Sequence, residues 1–300
     1  MMPTRNGSLR LFRLAGIEVF VHWSWFLAAW YFITQKPHQY SSVSGNIAEY
    51  LALFLTVLMH EFGHSLACRQ VGGKADQIVL WPLGGVAYVS PPQRPGAMLW
   101  SIAAGPLVNV VLLPTFYFLS LLAGRSGLVS PDVTVFLDAM VALNFWLLAF
   151  NLLPIYPLDG GQILRSLLWF VIGSAKSLLV TSVIGFVGVA GLLGFAVLSQ
   201  SIWLGIMAAF IGMNCWQGWK HARALAAVEK IPRHAGYSCP ACKIAPPKLP
   251  CWQCHQCGTL FDTFTSVGRC PNCGTSAAVT GCPDCGAAHP LAAWSKVVDV

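Results

Sequence analysis

Long apolar stretches, separated by short polar segments, run through the first 220 residues of the chain. We predict six membrane-spanning helices from them, because about 20 apolar helical residues cross a bilayer. The predicted ranges are 17–34, 47–68, 97–122, 134–155, 177–198 and 201–219. This pattern therefore predicts an α-helical polytopic membrane protein with about six transmembrane helices.

Residues 76–90, DQIVLWPLGGVAYVS, interrupt this pattern with two short β-like runs around a proline and two glycines. We predict a short membrane-associated β-hairpin here, whose free edge could accept an extended substrate segment. The alternative interpretation is a re-entrant connecting loop without a role in substrate binding.

Composition supports the membrane assignment. Of the 300 residues, 56% are hydrophobic and only 10% are charged, whereas a soluble domain has about 25% charged residues. The mean hydropathy is +0.62. No cleavable signal peptide is evident in the first 16 residues, because their arginines are not followed by a short apolar stretch that ends in small residues.

The basic residues predict the orientation of the chain in the membrane. With the N-terminus inside, Lys36 and Arg125 are the only basic residues that flank the six predicted spans on the outer side. Since basic residues concentrate in cytoplasmic loops, both termini should be cytoplasmic, in an inner or cytoplasmic membrane. The net charge of +7 then reflects topology, and nucleic-acid binding is not expected.

The segment HEFGH at 60–64 lies inside the second apolar span. On a helix His60 and His64 share one face, so their imidazoles can hold one metal ion while Glu61 handles a proton beside them. Ionisable residues in a membrane helix cost about 2.5–3.5 kcal/mol each on insertion scales, which favours a functional role. A chance match or a buried, hydrogen-bonded histidine pair is the alternative.

A catalytic zinc site needs a third protein ligand. Asp159 is the best candidate, because prolines precede it and two glycines follow it in NLLPIYPLDGGQ at 151–162. Irregular backbone at membrane depth is tolerated where it is buried in protein or lines a cavity. Asp138 is the rival, but it lies near the outer end of the same span. A turn or helix-capping role for Asp159 is the alternative.

Three motifs follow one another in the order HEFGH at 60–64, AGPLVN at 104–109 and FNLLPIYPLDGG at 150–161. In this combination the chain resembles the site-2 protease family of intramembrane zinc metalloproteases, over about residues 10–220. The opening segment at 11–25 is similar to the six-span branch with a cytoplasmic C-terminal extension. That branch often carries a regulatory CBS domain there, whereas this chain carries a cysteine-rich module.

The resemblance implies zinc ligands at His60, His64 and Asp159. It also implies Glu61 as the catalytic carboxylate and Asn151 as a substrate-positioning or oxyanion-stabilising residue. The expected activity is that of a zinc metalloendopeptidase in the lipid bilayer, which hydrolyses peptide bonds in or near a transmembrane segment of a membrane-protein substrate. A non-proteolytic membrane scaffold is the runner-up, although a scaffold has no need of Glu61. A metal transporter lacks the further polar intramembrane residues that an ion path needs.

Other polar residues in the apolar spans give weaker predictions. Asn109 follows Gly105 and Pro106 in the third span. It could bond across to the zinc-bearing helices, and a structural contact between helices is the expected role. Asn144 has no assigned role.

Residues 236–300 form a second predicted domain, following a transmembrane domain over 1–235, and hold nine of the eleven cysteines. Four CxxC pairs supply eight thiolates, enough for two structural zinc ions in a small β-rich zinc-ribbon domain. The ligands are Cys239, Cys242, Cys254, Cys257, Cys270, Cys273, Cys282 and Cys285. Disulfides are the alternative, which a reducing cytoplasm disfavours. With the catalytic ion, we expect three Zn2+ ions in all.

The pairing of the CxxC motifs is open at this point. The two inner pairs could share one metal and the two outer pairs the other, or successive pairs could combine along the chain. Cys251 is either surplus or replaces Cys257 as the partner of Cys254. Such modules bind protein or nucleic acid or only hold shape, and the near-neutral charge here favours a protein partner.

Overall fold

The computed structural model describes residues 7–35, 39–81, 84–126 and 129–295 of the chain. The chain divides into two compact units, Met1–Arg223 and Ala224–Val300. The first contains the apolar helices and a β-sheet, and the second contains the CxxC pairs.

Seven α-helices, one 3₁₀ helix at Leu291–Trp294 and eight strands form the regular structure of the described residues. The helices are α1 (Ser24–Gln35), α2 (Val43–Gln70), α3 (Pro95–Ser126), α4 (Pro131–Asn151), α5 (Asp159–Ile172), α6 (Ser174–Leu198) and α7 (Ile202–Glu229). The strands are β1 (Ser8–Leu14), β2 (Ile17–His22), β3 (Lys74–Trp81), β4 (Gly84–Ser90), β5 (Trp252–Gln253), β6 (Leu260–Phe261), β7 (Thr280–Gly281) and β8 (Ala288–His289).

Four helices of the described residues are long and apolar enough to cross a membrane. They are α2, α3 over Pro95–Arg125, α4 and α6. The chain is thus an integral membrane protein, but the prediction of six spans is not confirmed. The predicted span at 201–219 falls within α7, a helix of 28 residues whose polar residues, such as Asn214 and Gln217, lower its hydropathy.

The prediction of one apolar helix over 17–34 is wrong. Residues Ile17–His22 form strand β2, and α1 has only 12 residues, which extend about 18 Å at about 1.5 Å per residue. The cause is visible in IEVFVH, where β-branched and aromatic residues favour a strand. This strand is buried between β1 and β3, so its hydrophobicity reflects a sheet interior.

The sheet has the order β1-β2-β3-β4, with β2 and β3 parallel and the outer pairs antiparallel. Ile17, Val19 and Ile78 of its central strands are fully buried and pack with Trp25 and with Val57 of α2. Strands β3 and β4 pair antiparallel over the segment predicted as a hairpin. This places β4 at an edge of the sheet, against the helix that carries HEFGH.

Glycines allow a close approach between helices α2 and α3. A Cβ atom on Gly63 of α2 would lie 2.6 Å from the carbonyl oxygen of Ala104 in α3. The α4 helix ends at Asn151, and α5 begins at Asp159 after an irregular segment that contains Pro154 and Pro157. The sequence predicted this break, but not the 14-residue helix that follows it.

The second unit contains two small two-stranded sheets, β5-β6 and β7-β8, both antiparallel. Its apolar interior is small. One cluster surrounds Phe264 and the fully buried Trp294, and the other contains Phe261 between two cysteines. We therefore expect the stability of this unit to depend on its cysteine sites.

Candidate zinc site and cysteine clusters

His60, His64 and Asp159 converge in the first unit. The Nε2 atoms of the two histidines are 3.1 Å apart, because one helical turn of α2 separates their positions. Asp159, at the start of α5, places its Oδ2 atom 3.0 Å from Nε2 of His60 and 3.4 Å from Nε2 of His64. Both histidines are buried within the protein.

These separations fit a metal ion. Ligand atoms with zinc bonds of about 2.0–2.1 Å in a tetrahedron lie about 3.3–3.4 Å from one another. Two imidazoles and one carboxylate are also the ligand types that a catalytic zinc site with an open fourth position uses. The three residues could therefore hold one zinc ion, and the geometry agrees with the ligand set predicted from the sequence.

The remaining ring nitrogen of each histidine is hydrogen bonded to an oxygen that only accepts. Nδ1 of His60 lies 2.8 Å from Oδ1 of Asn109, and Nδ1 of His64 lies 2.9 Å from the carbonyl oxygen of Ser101. Each Nδ1 therefore carries a proton, and in the neutral imidazole each Nε2 presents a lone pair toward Asp159. The two lone pairs and the carboxylate are all negative, so they repel one another unless a cation lies among them.

Glu61 lies directly beside the three ligands and contacts the sheet. Its Oε2 atom accepts a hydrogen bond of 2.9 Å from the N–H of Ala87 in β4. Gly85 of the same strand permits this approach, since a Cβ atom there would lie 2.3 Å from Cγ of Glu61. The sequence identified Glu61 but carried no signal for the contact with Ala87.

Helix α3 approaches the site through a second glycine. A Cβ atom on Gly105 would lie 2.2 Å from Nε2 of His64. The AGPLVN segment thus supplies both this gap and Asn109, four residues later on the same helix. In the sequence, only membership of the AGPLVN motif pointed to a role of Gly105 in the site. Nothing in the sequence pointed to Ser101.

Asp138 and Asn151 are the two other residues that the sequence analysis considered for this site. Asp138, the rival ligand, is bonded to Ser120 of α3 and lies outside the histidine cluster. Asn151 is the last residue of α4 and is partly buried. Its role in positioning substrate or stabilising an oxyanion stays a prediction.

Eight cysteines of the second unit form two groups of four. The first group is Cys239, Cys242, Cys282 and Cys285, and the second is Cys254, Cys257, Cys270 and Cys273. This is the nested arrangement, in which the inner pairs share one site and the outer pairs the other. The alternative arrangement, which joins the first pair to the second and the third pair to the fourth, does not occur.

The sulfur separations also fit zinc. They are 3.7 Å for Cys239–Cys285, 3.8 Å for Cys242–Cys282, 3.6 Å for Cys254–Cys273 and 3.5 Å for Cys257–Cys270. Zinc–sulfur bonds of about 2.3 Å in a tetrahedron separate sulfurs by about 3.8 Å. All the cysteines are free of disulfides. Hydrogen bonds with the hydroxyl and N–H of Thr259 lower the pKa of Cys257 to about 5, which favours the thiolate.

Each CxxC pair forms the same turn. In three of them the N–H of the residue after the second cysteine, Gly258, Gly274 or Gly286, bonds to the carbonyl of the first cysteine at 2.8–2.9 Å. These glycines have φ between 72° and 75°. Lys243 occupies the equivalent place in the fourth turn with φ 64°. Cys251 is exposed and belongs to neither group.

Comparison with known proteins places this site in a family. The model of Peptidase family M50 matches residues 48–130 and 123–195. A zinc metalloprotease of Methanocaldococcus jannaschii is 31% identical over 216 residues, which are 69% of this chain and 59% of that protein. A Synechocystis protein is 31% identical over 191 residues, which are 60% of this chain and 49% of its own length. The chain thus spans about half the length of these relatives.

A solved structure is similar as well. The site-2 protease from Methanocaldococcus jannaschii matches with a TM-score of 0.51 and 29% identity, over 71% of this chain and 95% of that chain. The matched family region contains His60, His64 and Asp159, the three residues that the fold brings together. The chain belongs to peptidase family M50, the site-2 protease family.

Proposed function

We propose that this protein is an intramembrane zinc endopeptidase, which hydrolyses peptide bonds in or near a transmembrane segment of a protein substrate. The observation that carries the proposal is the convergence of two Nε2 lone pairs and one carboxylate oxygen beside Glu61. The two histidines and Glu61 lie within α2, an apolar helix long enough to cross a membrane, and Asp159 joins them from the start of α5. Zinc ligands placed there act on a peptide bond at membrane depth.

His60, His64 and Asp159 would hold the catalytic zinc ion. When bound, zinc would lower the pKa of a coordinated water toward about 7 and polarise the carbonyl of the scissile bond. Glu61 is the neighbour suited to the proton, because it is buried and does not belong to the ligand group. It would accept a proton from the attacking water and return it to the leaving amine.

Access to the site is expected from the side of Asp159. The side chain of Asp159 is 13% exposed, whereas those of His60 and His64 are 5% and 8% exposed. The segment that precedes Asp159 is irregular, so it does not seal this side with a continuous helix. Asn151, at the end of α4, would bind the substrate carbonyl or its developing oxyanion from this direction.

Strand β4 would align the substrate. It is an edge strand of the sheet, and the N–H of Ala87 already reaches the carboxylate of Glu61. A substrate helix has to unwind locally before its carbonyl can be attacked. An extended segment beside β4 would keep its backbone paired while one peptide group approaches Glu61.

The second unit would carry two structural zinc ions, one in each group of four cysteines. We place it, with both chain termini, in the cytoplasm, and the protein in an inner or cytoplasmic membrane. Its role would be to recognise the substrate or a protein partner. Deleting the unit should then impair cleavage of the natural substrate more than cleavage of a generic one, and equal impairment would contradict that role.

Comparing membrane proteins in cells that carry variants of the chain tests the activity. Glu61→Gln keeps the size of the side chain but cannot accept a proton as a carboxylate does. Glu49→Gln is the matched control, since Glu49 is also buried in α2 and bonds to the hydroxyl of Tyr40, away from the ligands.

The expected result is a set of full-length membrane proteins that accumulate with Glu61→Gln and not with Glu49→Gln. Their shorter fragments should end within or beside a transmembrane segment and disappear in the Glu61→Gln cells. Unchanged fragments with Glu61→Gln would refute proteolysis by this site and would favour a scaffold.

A further inference from the structure

Two asparagines connect the zinc site to the interior of helix α4. Asn109 of α3 and Asn144 of α4 are both fully buried in the protein. Nδ2 of Asn109 donates to Oδ1 of Asn144 at 3.0 Å, and Nδ2 of Asn144 donates to the carbonyl oxygen of Met140 at 2.9 Å. With the bond between Asn109 and His60, these contacts form a continuous chain across three helices.

The direction of this chain is fixed at its far end. A backbone carbonyl only accepts hydrogen bonds, so Asn144 has to turn its amide nitrogen toward Met140 and its oxygen toward Asn109. Asn109 then turns its nitrogen toward Asn144 and its oxygen toward His60. His60 donates from Nδ1 in response, and its Nε2 lone pair faces His64 and Asp159.

We propose that Asn109 and Asn144 are positioning residues that set the tautomer of His60 through this chain of hydrogen bonds. Without Asn144, the Asn109 amide can rotate by about 180° and offer its N–H groups to Nδ1 of His60. The proton of the imidazole then moves to Nε2, where it points at Asp159 and blocks the binding of a metal. This inference rests on the zinc site proposed above.

The energetic argument depends on burial. A buried polar group left without a partner is destabilising, so the chain of bonds is retained as a unit or disrupted as a unit. Partners that orient a metal-binding histidine typically change metal affinity by about 10–100-fold when they are replaced. His64 differs from His60, because its Nδ1–H donates directly to the backbone carbonyl oxygen of Ser101. The tautomer of His64 is therefore set without an intervening side-chain amide.

The test is a double-mutant cycle that measures zinc affinity. The full-length protein in detergent is titrated against zinc buffered by a competing chelator, and the zinc retained by His60→Ala is subtracted as the contribution of the cysteine groups. Asn109→Leu should weaken binding at the membrane site by about 10–100-fold. Asn109→Asp supplies a carboxylate that accepts from His60 in either orientation, so it is the background in which residue 109 cannot be misoriented.

The decisive variant is Asn144→Leu in two backgrounds. Alone, it should weaken zinc binding by about tenfold, at the low end of the range for supporting partners. Combined with Asn109→Asp, it should have no effect on affinity, since the introduced carboxylate has no amide to misorient. Asn46→Leu is the control for a general loss of helix packing, because Asn46 is also buried but lies in α2. It should leave zinc affinity unchanged.

Each outcome has a clear meaning. An equal loss from Asn144→Leu in both backgrounds would show a purely structural role and overturn the inference. No loss in either background would overturn it as well. If the natural protein and His60→Ala retain the same amount of zinc, the proposed zinc site itself is wrong. That result is distinct from a failure of the proposed role of Asn109 and Asn144.

Discussion

Gly105→Ala is a small change that should remove the zinc site. The added Cβ atom would lie 2.2 Å from Nε2 and 2.4 Å from Cε1 of His64. Since non-bonded heavy atoms rest about 3.5–4.0 Å apart, either the imidazole or helix α3 has to move by roughly 1.3 Å or more. Metal–ligand distances tolerate changes of only about 0.2 Å, so His64 should no longer reach the ion.

We expect a loss of zinc affinity of at least about 100-fold, the upper end of the range for disturbing a ligand through its support. The assay is the same chelator competition, together with cleavage of a membrane substrate. Gly124→Ala is the matched control, because Gly124 lies in the same helix and none of the described residues lies within 4 Å of an added Cβ atom. It should keep its zinc and gain up to about 1 kcal/mol of helix stability.

Size-exclusion chromatography and helix content first establish that Gly105→Ala is folded. The reasoning is refuted if this folded variant binds zinc with the affinity of the Gly124→Ala control. That result would mean that the helices separate without moving His64, or that His64 is not a ligand.

Three further predictions follow from the two units. Gly85→Ala should displace the Glu61 carboxylate and lower cleavage by about 10²–10⁴-fold, the usual contribution of a general base, while zinc content measured on the same sample stays unchanged. Lys243→Gly should remove the strain of a non-glycine residue in the left-handed region and stabilise the cysteine-rich unit by about 1–2 kcal/mol. Zinc should then be released at a higher chelator concentration. Release at the same or a lower concentration would contradict the assignment of strain to this turn. Cys257→Ser should cost one zinc ion per chain, whereas Cys251→Ser should cost none, and equal loss from both would place Cys251 among the ligands.

The sequence predicted which ionisable side chains come together in the membrane unit better than it predicted the membrane elements. His60 and His64 share a face because helical periodicity alone places them there, and the proline and glycine residues around Asp159 indicated an irregular segment. The strand at 17–22 was missed, because a buried strand and an apolar helix are equally hydrophobic. The β-branched and aromatic residues of this segment favour a strand, and pairing with β1 and β3 establishes it.

Other features depend on contacts that no single segment contains. The four CxxC turns are locally alike, so only the fold determines which pairs share a metal. Asn144 becomes meaningful only because Asn109 of another helix faces it at 3.0 Å. The packing of Gly85 against Glu61 is likewise a contact between a strand and a helix that are distant in sequence.

The most direct test of proteolysis compares the natural protein with Glu61→Gln on a purified membrane substrate that accumulates in the Glu61→Gln cells. The reaction is run in ¹⁸O-labelled water, and mass spectrometry measures zinc per chain and the label in the products. We predict that the natural protein produces fragments with ¹⁸O at the new carboxyl terminus, while Glu61→Gln binds the same amount of zinc and produces none. Labelled fragments at an undiminished rate from Glu61→Gln would contradict the assignment of Glu61 and of the site as a peptidase centre.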